Sequence, residues 1–244
     1  MAAPFLAVVV PAFNEEPRIG ATLESLSGHL QTKSYEWEIV VADDGSDDTT
    51  AQIVREASEK NPRIRLVSLD HGGKGSAMKG GMLASDAAWR FMCDADLSMP
   101  AEQIDRFLPE DGPPDYDIGV GSREVPGSRR IGEPGRRHIK GRIYNWITRM
   151  LGFRGLNDTQ CGFKMYRGEL ADRIFDAQTL KGWGFDVEIL LLGKKVGATI
   201  TEVPIDWYYR TESKMGTVSG ALGLADVFRV RFNEIRGKYR GLKS

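Results

Sequence analysis

Two short acidic motifs end apolar runs in the first hundred residues of the chain. Asp43 and Asp44 stand in the motif DDGS, and Asp94 and Asp96 stand in the motif DAD. Mg²⁺ and Mn²⁺ prefer oxygen ligands and often use one or two carboxylates together with the phosphates of a substrate. A D-x-D motif directly after a buried strand therefore predicts that Asp94 and Asp96 hold a divalent cation on a diphosphate.

The DDGS motif has two interpretations, and both can hold at once. One carboxylate, from Asp43 or Asp44, can accept a hydrogen bond from a nucleobase at the other end of the same ligand. The alternative is that an aspartate caps the following helix, since aspartate is among the preferred N-cap residues. Asp47 and Asp48 suit that second role.

A basic segment follows the fifth apolar run of the chain. Residues 122–142 carry seven Lys or Arg residues against two Glu. Such a run can be plain solvated surface, but arginine also holds phosphate by bidentate donation. Arg123 and Arg136 or Arg137 have no carboxylate close enough in sequence to pair with them. We therefore expect them to bind the phosphate of a second substrate.

The glycine-rich segment HGGKGSAMKGG does not match the common phosphate-binding loops. Gly75 follows Gly-Lys where a Walker A motif needs Ser or Thr, and Met78 stands at the last glycine of G-x-G-x-x-G. These differences argue against ATP or NAD binding through this loop. A glycine-rich helix start can still admit a ligand close to its backbone. The three histidines form no Ser–His–Asp or Cys–His arrangement.

Strands that alternate with helices must position these residues. The strands are mostly apolar rather than alternating, which indicates a mostly parallel sheet covered by helices on both faces. Ligands of such sheets bind beyond the carboxyl ends of the strands, where both acidic motifs fall. The first helix is predicted to begin at an Asn14 cap and to end near Leu30. The predicted strands of this half are 5–10, 37–42, 64–69, 89–93 and 117–121.

The remaining chain divides by composition. We predict a nucleotide-binding half, a mobile basic loop, an acceptor-side half and a basic amphipathic C-terminal helix, with bounds 1–122, 123–138, 139–221 and 222–244. The acceptor-side half is predicted to hold an amphipathic helix over 139–151, a strand entering a helix at CGFKMYRG, a helix at GFDVEILLLGKKVG and a strand pair at ATITEVPIDWYYR.

Bulk composition excludes several classes of protein. The chain is 41% hydrophobic and its net charge is −1, so overall charge predicts no polyanionic partner such as nucleic acid. Cys93 and Cys161 lack partners and indicate reduced thiols of a cytoplasmic protein. No stretch reaches the roughly 18 apolar residues of a spanning helix, and no signal peptide is visible. We expect any membrane contact to occur at its surface.

Several motifs together resemble the family-2 inverting glycosyltransferases of the GT-A fold. They are VVVPAFNEE, VVADDGSDDT, GKGSAMKGG, MCDADLS and GSR. DTQCGFKMY and GWGFDVEIL resemble the dolichyl-phosphate β-glucosyltransferase branch, to which the dolichyl-phosphate mannose synthases are related. The resemblance implies a Rossmann-like α/β domain with a C-terminal helical extension. It also implies a nucleotide-sugar donor, for which UDP-glucose is the expected compound. Eukaryotic members of this branch carry an N-terminal transmembrane anchor, and we expect none in this chain.

The resemblance also implies roles for particular residues. Asp94 and Asp96 would hold Mg²⁺ or Mn²⁺, and Arg123 with Arg136 or Arg137 would grip the acceptor phosphate. Asp186 and Glu188 would face the sugar or the acceptor. The residues implied to be catalytic are Asp96, Arg123, Arg137 and Asp186. Those implied to bind the donor are Pro11, Phe13, Glu15, Asp43, Asp44, Lys74, Asp94, Ala95 and Asp96.

The implied acceptor is a polyprenyl or dolichyl phosphate. A phosphate monoester has a second pKa near 6 and is largely dianionic at neutral pH, so it needs no strong general base. A single displacement would invert the anomeric centre and give a β-linked product. The helix over 139–151, with Trp146 and Ile147, and the basic tail, with Phe228 and Phe232, would lie on an anionic membrane surface. Ordinary packing or a homodimer contact is the alternative.

Three other functions stay open. A mannose synthase would use GDP-mannose. A transferase with a soluble acceptor would use a carboxylate base, for which Asp158 or Asp186 could serve. A non-catalytic nucleotide-sugar or nucleic-acid binding protein would use the basic segment as its contact surface, although the intact DAD motif and the near-zero net charge argue against it.

Overall fold

The computed structural model describes residues 3–109, 113–133, 155–209 and 217–242. The strands are β1 Leu6–Ala12, β2 Trp37–Asp43, β3 Ile64–Ser68, β4 Trp89–Met92, β5 Ile118–Ser122, β6 Arg129–Ile131, β7 Lys164–Arg167, β8 Ile200–Pro204 and β9 Asp206–Tyr208. The helices are α1 Ile19–Leu30, α2 Thr50–Lys60, α3 Lys74–Leu83, α4 Gly168–Asp176, α5 Phe185–Lys195 and α6 Thr217–Ile235, with a 3₁₀ helix over Ala101–Phe107.

Within the described residues, seven strands form the central sheet in the order β3-β2-β1-β4-β7-β5-β8. The pairs among β3, β2, β1 and β4 are parallel, as is the pair of β5 with β8. β7 lies antiparallel between β4 and β5. The prediction of a mostly parallel sheet is confirmed, and β7 is the exception that the sequence pattern did not reveal.

Apolar side chains cover both faces of this sheet. On β1, Leu6, Val8 and Val10 join the core under α1 and α2, while Val9 joins the core under α3, α4 and α5. A strand that is buried on both faces must be apolar at every position, which is why β1 reads as an uninterrupted apolar run. Cys93 and Cys161 are buried free thiols, as predicted.

The sheet topology brings separate loops to one edge. The parallel strands β1, β2 and β4 end beside each other, with Ala12 opposite Asp43. Because β7 runs the other way, it begins at this edge, and the segment 158–163 that precedes it enters the same rim. β5 also ends here, directly before Arg123. The acidic motifs, Arg123 and the DTQCGF segment therefore meet although they are far apart in sequence.

Two local predictions were wrong. Asn14 does not cap α1, which begins at Ile19. Asn14 instead has a left-handed φ of 52° and accepts a hydrogen bond on Oδ1 from the amide of Asp47 at 2.9 Å. It therefore ties the loop after β1 to the DDGS loop. The strands β8 and β9 were expected to pair with each other, but β9 pairs with β6, so part of the predicted basic loop is a short strand.

A glycine in the first turn of α3 admits another segment of the chain. A Cβ at Gly75 would lie 2.8 Å from the carbonyl oxygens of Leu180 and Lys181. The amide of Ser76 also donates to the Lys181 carbonyl at 3.1 Å. The segment 180–182 thus packs against the first turn of α3, while Gly73 and Lys74 line a cavity at the carboxyl edge of the sheet, so a ligand close to this helix start stays a prediction.

Two predictions fall wholly or partly outside the described residues. The amphipathic helix over 139–151, together with Arg136 and Arg137, lies outside them altogether. The C-terminal helix exists as α6, and it begins at Thr217, before the expected position of 222. None of the described helices combines the length and apolar character that a bilayer-spanning helix requires.

Candidate active site

A cavity of about 420 Å³ opens at the carboxyl edge of the sheet. Ten of the predicted site residues line it: Pro11, Phe13, Glu15, Asp44, Lys74, Asp94, Ala95, Asp96, Arg123 and Asp186. Asp43 does not, because its carboxylate is held by the hydroxyl and amide of Ser46. Topology thus gathers residues from both halves of the chain around one space.

Asp94 is held between a lysine and a glycine. Its Oδ1 pairs with Lys74 Nζ at 2.7 Å. Burial works against the charge of Lys74, but Asp94 and Asp186 more than offset it, so the pKa of Lys74 lies above its ordinary value. On the other side, a Cβ at Gly162 would overlap the Asp94 carboxylate. The absence of a side chain at this position is what leaves room for Asp94.

Asp96 stands in a tight turn after β4. Its Oδ1 accepts a hydrogen bond from the amide of Ser98 at 2.9 Å, and Leu97 between them has a φ of 44°. The turn therefore directs both carboxylates of the DAD motif to the cavity, where Asp94 and Asp96 are lining residues.

The donor set fits a divalent cation that arrives with a diphosphate. In the described part of the chain, no three His, Cys, Asp or Glu side chains form a group that could hold an ion alone. Two carboxylates plus substrate phosphate oxygens are, however, the usual protein environment of Mg²⁺. Asp94 and Asp96 supply those carboxylates.

An aromatic pair forms another wall of the cavity. Phe13 and His71 stack with ring centroids 4.3 Å apart and planes at 30°. The His71 ring is fixed by Asp44, whose carbonyl oxygen lies 3.0 Å from Nδ1. The Asp44 carboxylate accepts hydrogen bonds from the amides of Gly72 and Gly73 at 2.9 and 2.8 Å. Two flat rings and a fixed carboxylate suit a flat heterocycle.

Arg123 is paired, contrary to the prediction from sequence. Its Nε and Nη2 donate to Asp158 Oδ2 and Oδ1 at 2.6 and 2.9 Å. Its guanidinium also lies 5.5 Å from the ring centroid of Trp207. The pairing was missed because Asp158 lies 35 positions away and reaches Arg123 only through the insertion of β7 beside β5. A guanidinium has five N–H donors, and Asp158 takes two of them.

Asp158 is a poor candidate for a general base. It is fully buried, and burial raises a carboxyl pKa, but Arg123 outweighs this and holds the pKa of Asp158 below its ordinary value. A carboxylate that is this well stabilised has little tendency to take a proton. Its interactions fit the positioning of Arg123 instead.

Asp186 lies at the start of α5 and is buried. Its Oδ1 accepts from Lys164 Nζ, a fully buried ammonium, at 2.5 Å. Burial raises the pKa of Asp186, Lys164 and Lys74 lower it, and the pKa lies above the ordinary value. Asp186 is thus an acceptor for a hydrogen bond at the cavity wall, with a proton affinity higher than that of Asp158.

Glu188 does not face the cavity, so that prediction was wrong. Its carboxylate accepts hydrogen bonds from the amides of Thr179 and Leu180 at 3.0 and 2.7 Å and from the Tyr239 hydroxyl at 2.6 Å. Two positions along a helix turn a side chain by about 200°, so Asp186 and Glu188 face different ways. Glu188 therefore holds the backbone of the 178–184 segment without lining the cavity.

A model of the glycosyl transferase family 2 matches residues 7–175 of the chain. The chain belongs to this family. The dolichyl-phosphate β-glucosyltransferase of Dictyostelium discoideum is 34% identical over 250 residues, which is 97% of this chain and 76% of the relative. The Saccharomyces cerevisiae enzyme of the same name is 30% identical over 259 residues, or 98% of this chain and 78% of the relative. The branch that the motifs indicated is confirmed by these relatives.

The fold of this family 2 glycosyltransferase is also that of solved GT-A structures. Glucosyl-3-phosphoglycerate synthase from Mycobacterium tuberculosis, crystallised with Mn²⁺, UDP and glucosyl-3-phosphoglycerate, superposes with a TM-score of 0.67. The match covers 94% of this chain and 80% of that one, at 18% identity. The likeness establishes the GT-A fold.

Some lining residues of the glycosyltransferase were missed from sequence. They are Arg18, His71, Gln160, Trp183 and Trp207. Arg18 pairs with Glu15, and the ring of Trp183 lies 4.9 Å from Lys74 Nζ. A tryptophan between two glycines, as in GWG, was the one signal available. Arg18 and Trp207 stand in ordinary contexts that do not separate them from surface residues.

Proposed function

We propose that this glycosyltransferase transfers glucose from UDP-glucose to a polyprenyl or dolichyl phosphate with inversion. The names of its relatives support the donor sugar and the acceptor. The observation that carries the proposal is that Arg123 lines the same cavity as Asp94 and Asp96. A cavity with carboxylates for a cation on one side and a guanidinium on the other suits a reaction between two anionic substrates.

Asp94 and Asp96 would hold Mg²⁺ or Mn²⁺ on the donor. When bound, the cation offsets the charge that develops on the departing diphosphate. Phe13 and His71 would contact the uracil, with Asp44 as the acceptor that fixes His71. Pro11, Glu15 and Ala95 would complete the donor side.

Arg123 would bind the acceptor phosphate with the guanidinium donors that Asp158 does not take. Asp158 keeps the Arg123 guanidinium in one orientation, which raises the fraction of molecules that are ready to bind the acceptor phosphate. Arg136 or Arg137 would add a second contact. The phosphate dianion attacks without a base, so the residues of the chain act by placing it in line with the bond that breaks.

Asp186 would accept a hydrogen bond from a hydroxyl of the sugar. Lys164 keeps its carboxylate oriented by a hydrogen bond, and Asp186 lines the same cavity as the DAD carboxylates and Arg123. Asp96, Arg123, Arg137 and Asp186 are thus the residues we assign to the transfer step.

The direct test is a panel of donors and acceptors. Purified protein with Mn²⁺ should convert UDP-glucose and a short, water-soluble polyprenyl phosphate into a glucosyl phosphate lipid, detected by mass and shown to be β-linked by NMR. GDP-mannose should react far more slowly. Preference for GDP-mannose would move the chain to the mannose synthases, and transfer only to a soluble acceptor such as 3-phosphoglycerate would overturn the lipid acceptor.

A lipid acceptor requires work at a membrane. We propose that the enzyme acts on the cytoplasmic face of an anionic bilayer, where a nucleotide-sugar donor and a lipid phosphate acceptor can both reach it.

A further inference from the structure

The last described part of α6 carries an unusual exposed surface. Phe228, Phe232 and Ile235 are 55%, 50% and 78% exposed. Their spacing of four and three places them on one side of the helix. Together with Arg229 and Arg231 they line a shallow groove. We call these five residues the α6 outer face.

Basic side chains dominate the surroundings of this face. Residues 225–242 contain five Lys or Arg residues against two acidic ones. Glu234 pairs with Arg231, and Asp226 lies 3.9 Å from Arg229. The Arg236 guanidinium lies 4.1 Å from the ring centroid of Phe232, so charge and apolar surface are interleaved. Aromatic rings interleaved with basic side chains, in a segment with an excess of basic residues, are typical of a helix that lies in a lipid interface.

The opposite side of the same helix contacts the active-site cavity wall. Asp226 Oδ2 accepts a hydrogen bond from the amide of Gly184 at 3.2 Å, and Asn233 Nδ2 donates to Thr179 Oγ1 at 3.1 Å. Trp183, beside Gly184, lines the cavity. The helix therefore has one side on the segment 178–184 and its other side exposed.

We propose that the α6 outer face binds the surface of an anionic lipid bilayer. The inference rests on the proposed function, because it places the enzyme where its acceptor resides. Charge decides the occupant: anionic headgroups complement the arginines, whereas a second copy would bring the same excess of positive charge against itself. Binding at this face would bring the bilayer to the helix that contacts the 178–184 segment, of which Trp183 lines the cavity.

Vesicle sedimentation tests the surface. Wild-type protein should bind phosphatidylcholine vesicles containing phosphatidylglycerol, bind pure phosphatidylcholine weakly, and be released by salt. Arg229→Ala with Arg236→Ala should weaken binding by about thirtyfold, since each basic residue near an anionic membrane contributes about a factor of five. Phe228→Ser with Phe232→Ser should weaken it by at least about tenfold. Arg55→Ala on α2 and Leu83→Ser on α3, exposed residues of matched chemistry, should leave binding unchanged.

Activity separates this proposal from the proposed function. The Phe228/Phe232 variant should keep wild-type transfer to a short soluble acceptor and lose transfer to a long acceptor held in vesicles. If wild-type protein does not bind anionic vesicles, the proposed bilayer binding of the α6 outer face is wrong, whether or not the protein transfers glucose. An equal loss of transfer to both acceptors in the Phe228/Phe232 variant would also contradict the proposal, because it would mean damage to the fold. A wild-type dimer that sedimentation detects and the variant abolishes would contradict it as well, because it would mean that the face binds a second copy.

Discussion

Individual side chains explain how the cavity can hold two anions. Asp94, Asp96 and Lys74 were expected from the motifs and all line it. The Arg123–Asp158 pair was not expected, because local sequence contains no sign of a contact made across two strands. The same limit applies to His71, whose stacking on Phe13 depends on how two loops meet. Residue types were thus predictable, and their partners were not.

The role of Asp96 leads to a first prediction. Asp96→Asn keeps an oxygen that can accept from the Ser98 amide but removes the negative charge that a cation requires. We expect Mn²⁺-dependent UDP binding to be lost and transfer to fall by at least about a hundredfold, with thermal unfolding near wild type. EDTA should abolish glucose transfer by wild-type protein, and added Mn²⁺ or Mg²⁺ should restore it. Asp70→Asn, at an exposed position, is the control. Full activity in EDTA would refute a metal at this site.

Strands and helices were predictable where burial dictates the pattern. The strands β1, β2, β4 and β5 were found because strands that are buried on both faces of a sheet are mostly apolar. β3, a partly buried edge strand, was found from its apolar residues alone. The orientation of β7 was not found, since the four residues KMYR are compatible with either strand direction. The start of α1 was misplaced because Asn14 bonds the DDGS loop instead of the helix, a choice that only the folded loops determine.

The approach of β7 to β4 gives a second prediction. In Gly162→Ala the new Cβ would overlap the Asp94 carboxylate and displace it, so we expect Mn²⁺-dependent UDP affinity to fall by about tenfold or more. Gly28→Ala is the matched control, because nothing lies within 4 Å of its Cβ and alanine favours a helix by up to about 1 kcal/mol. It should bind UDP like wild type and unfold at a slightly higher temperature. Calorimetric titration measures the UDP affinity of both variants. Unchanged affinity in Gly162→Ala would mean that UDP binding does not need the Asp94 carboxylate in its present position.

Across the whole molecule, the two halves of the chain contribute different sides of one cavity. The first 122 residues supply the acidic motifs and the aromatic pair, and the later residues supply Asp158, Asp186 and the tryptophans. Alternating strands and helices in the first half made its architecture predictable. The second half depends on a strand inserted between β4 and β5, which brings Asp158 to Arg123.

This division predicts that acceptor and donor functions can be separated. Arg123→Ala and Arg123→Lys should both leave UDP affinity near wild type, because the donor contacts lie elsewhere. Transfer to polyprenyl phosphate should fall by about ten- to a hundredfold in Arg123→Ala, the worth of one charge-assisted bond. Arg123→Lys keeps a cation beside Asp158 but loses the fork, so it should recover only part of the rate. Arg129→Ala, on the same basic segment but outside the cavity, should behave as wild type.

The decisive measurement is the rate of glucose transfer to a short polyprenyl phosphate by Arg123→Ala and Arg123→Lys, set beside the UDP affinity of the same samples in Mn²⁺. We predict a large loss of transfer in Arg123→Ala, partial recovery in Arg123→Lys and unchanged UDP affinity in both. Wild-type transfer in both variants, or UDP affinity that falls in step with transfer, would contradict an acceptor phosphate at Arg123.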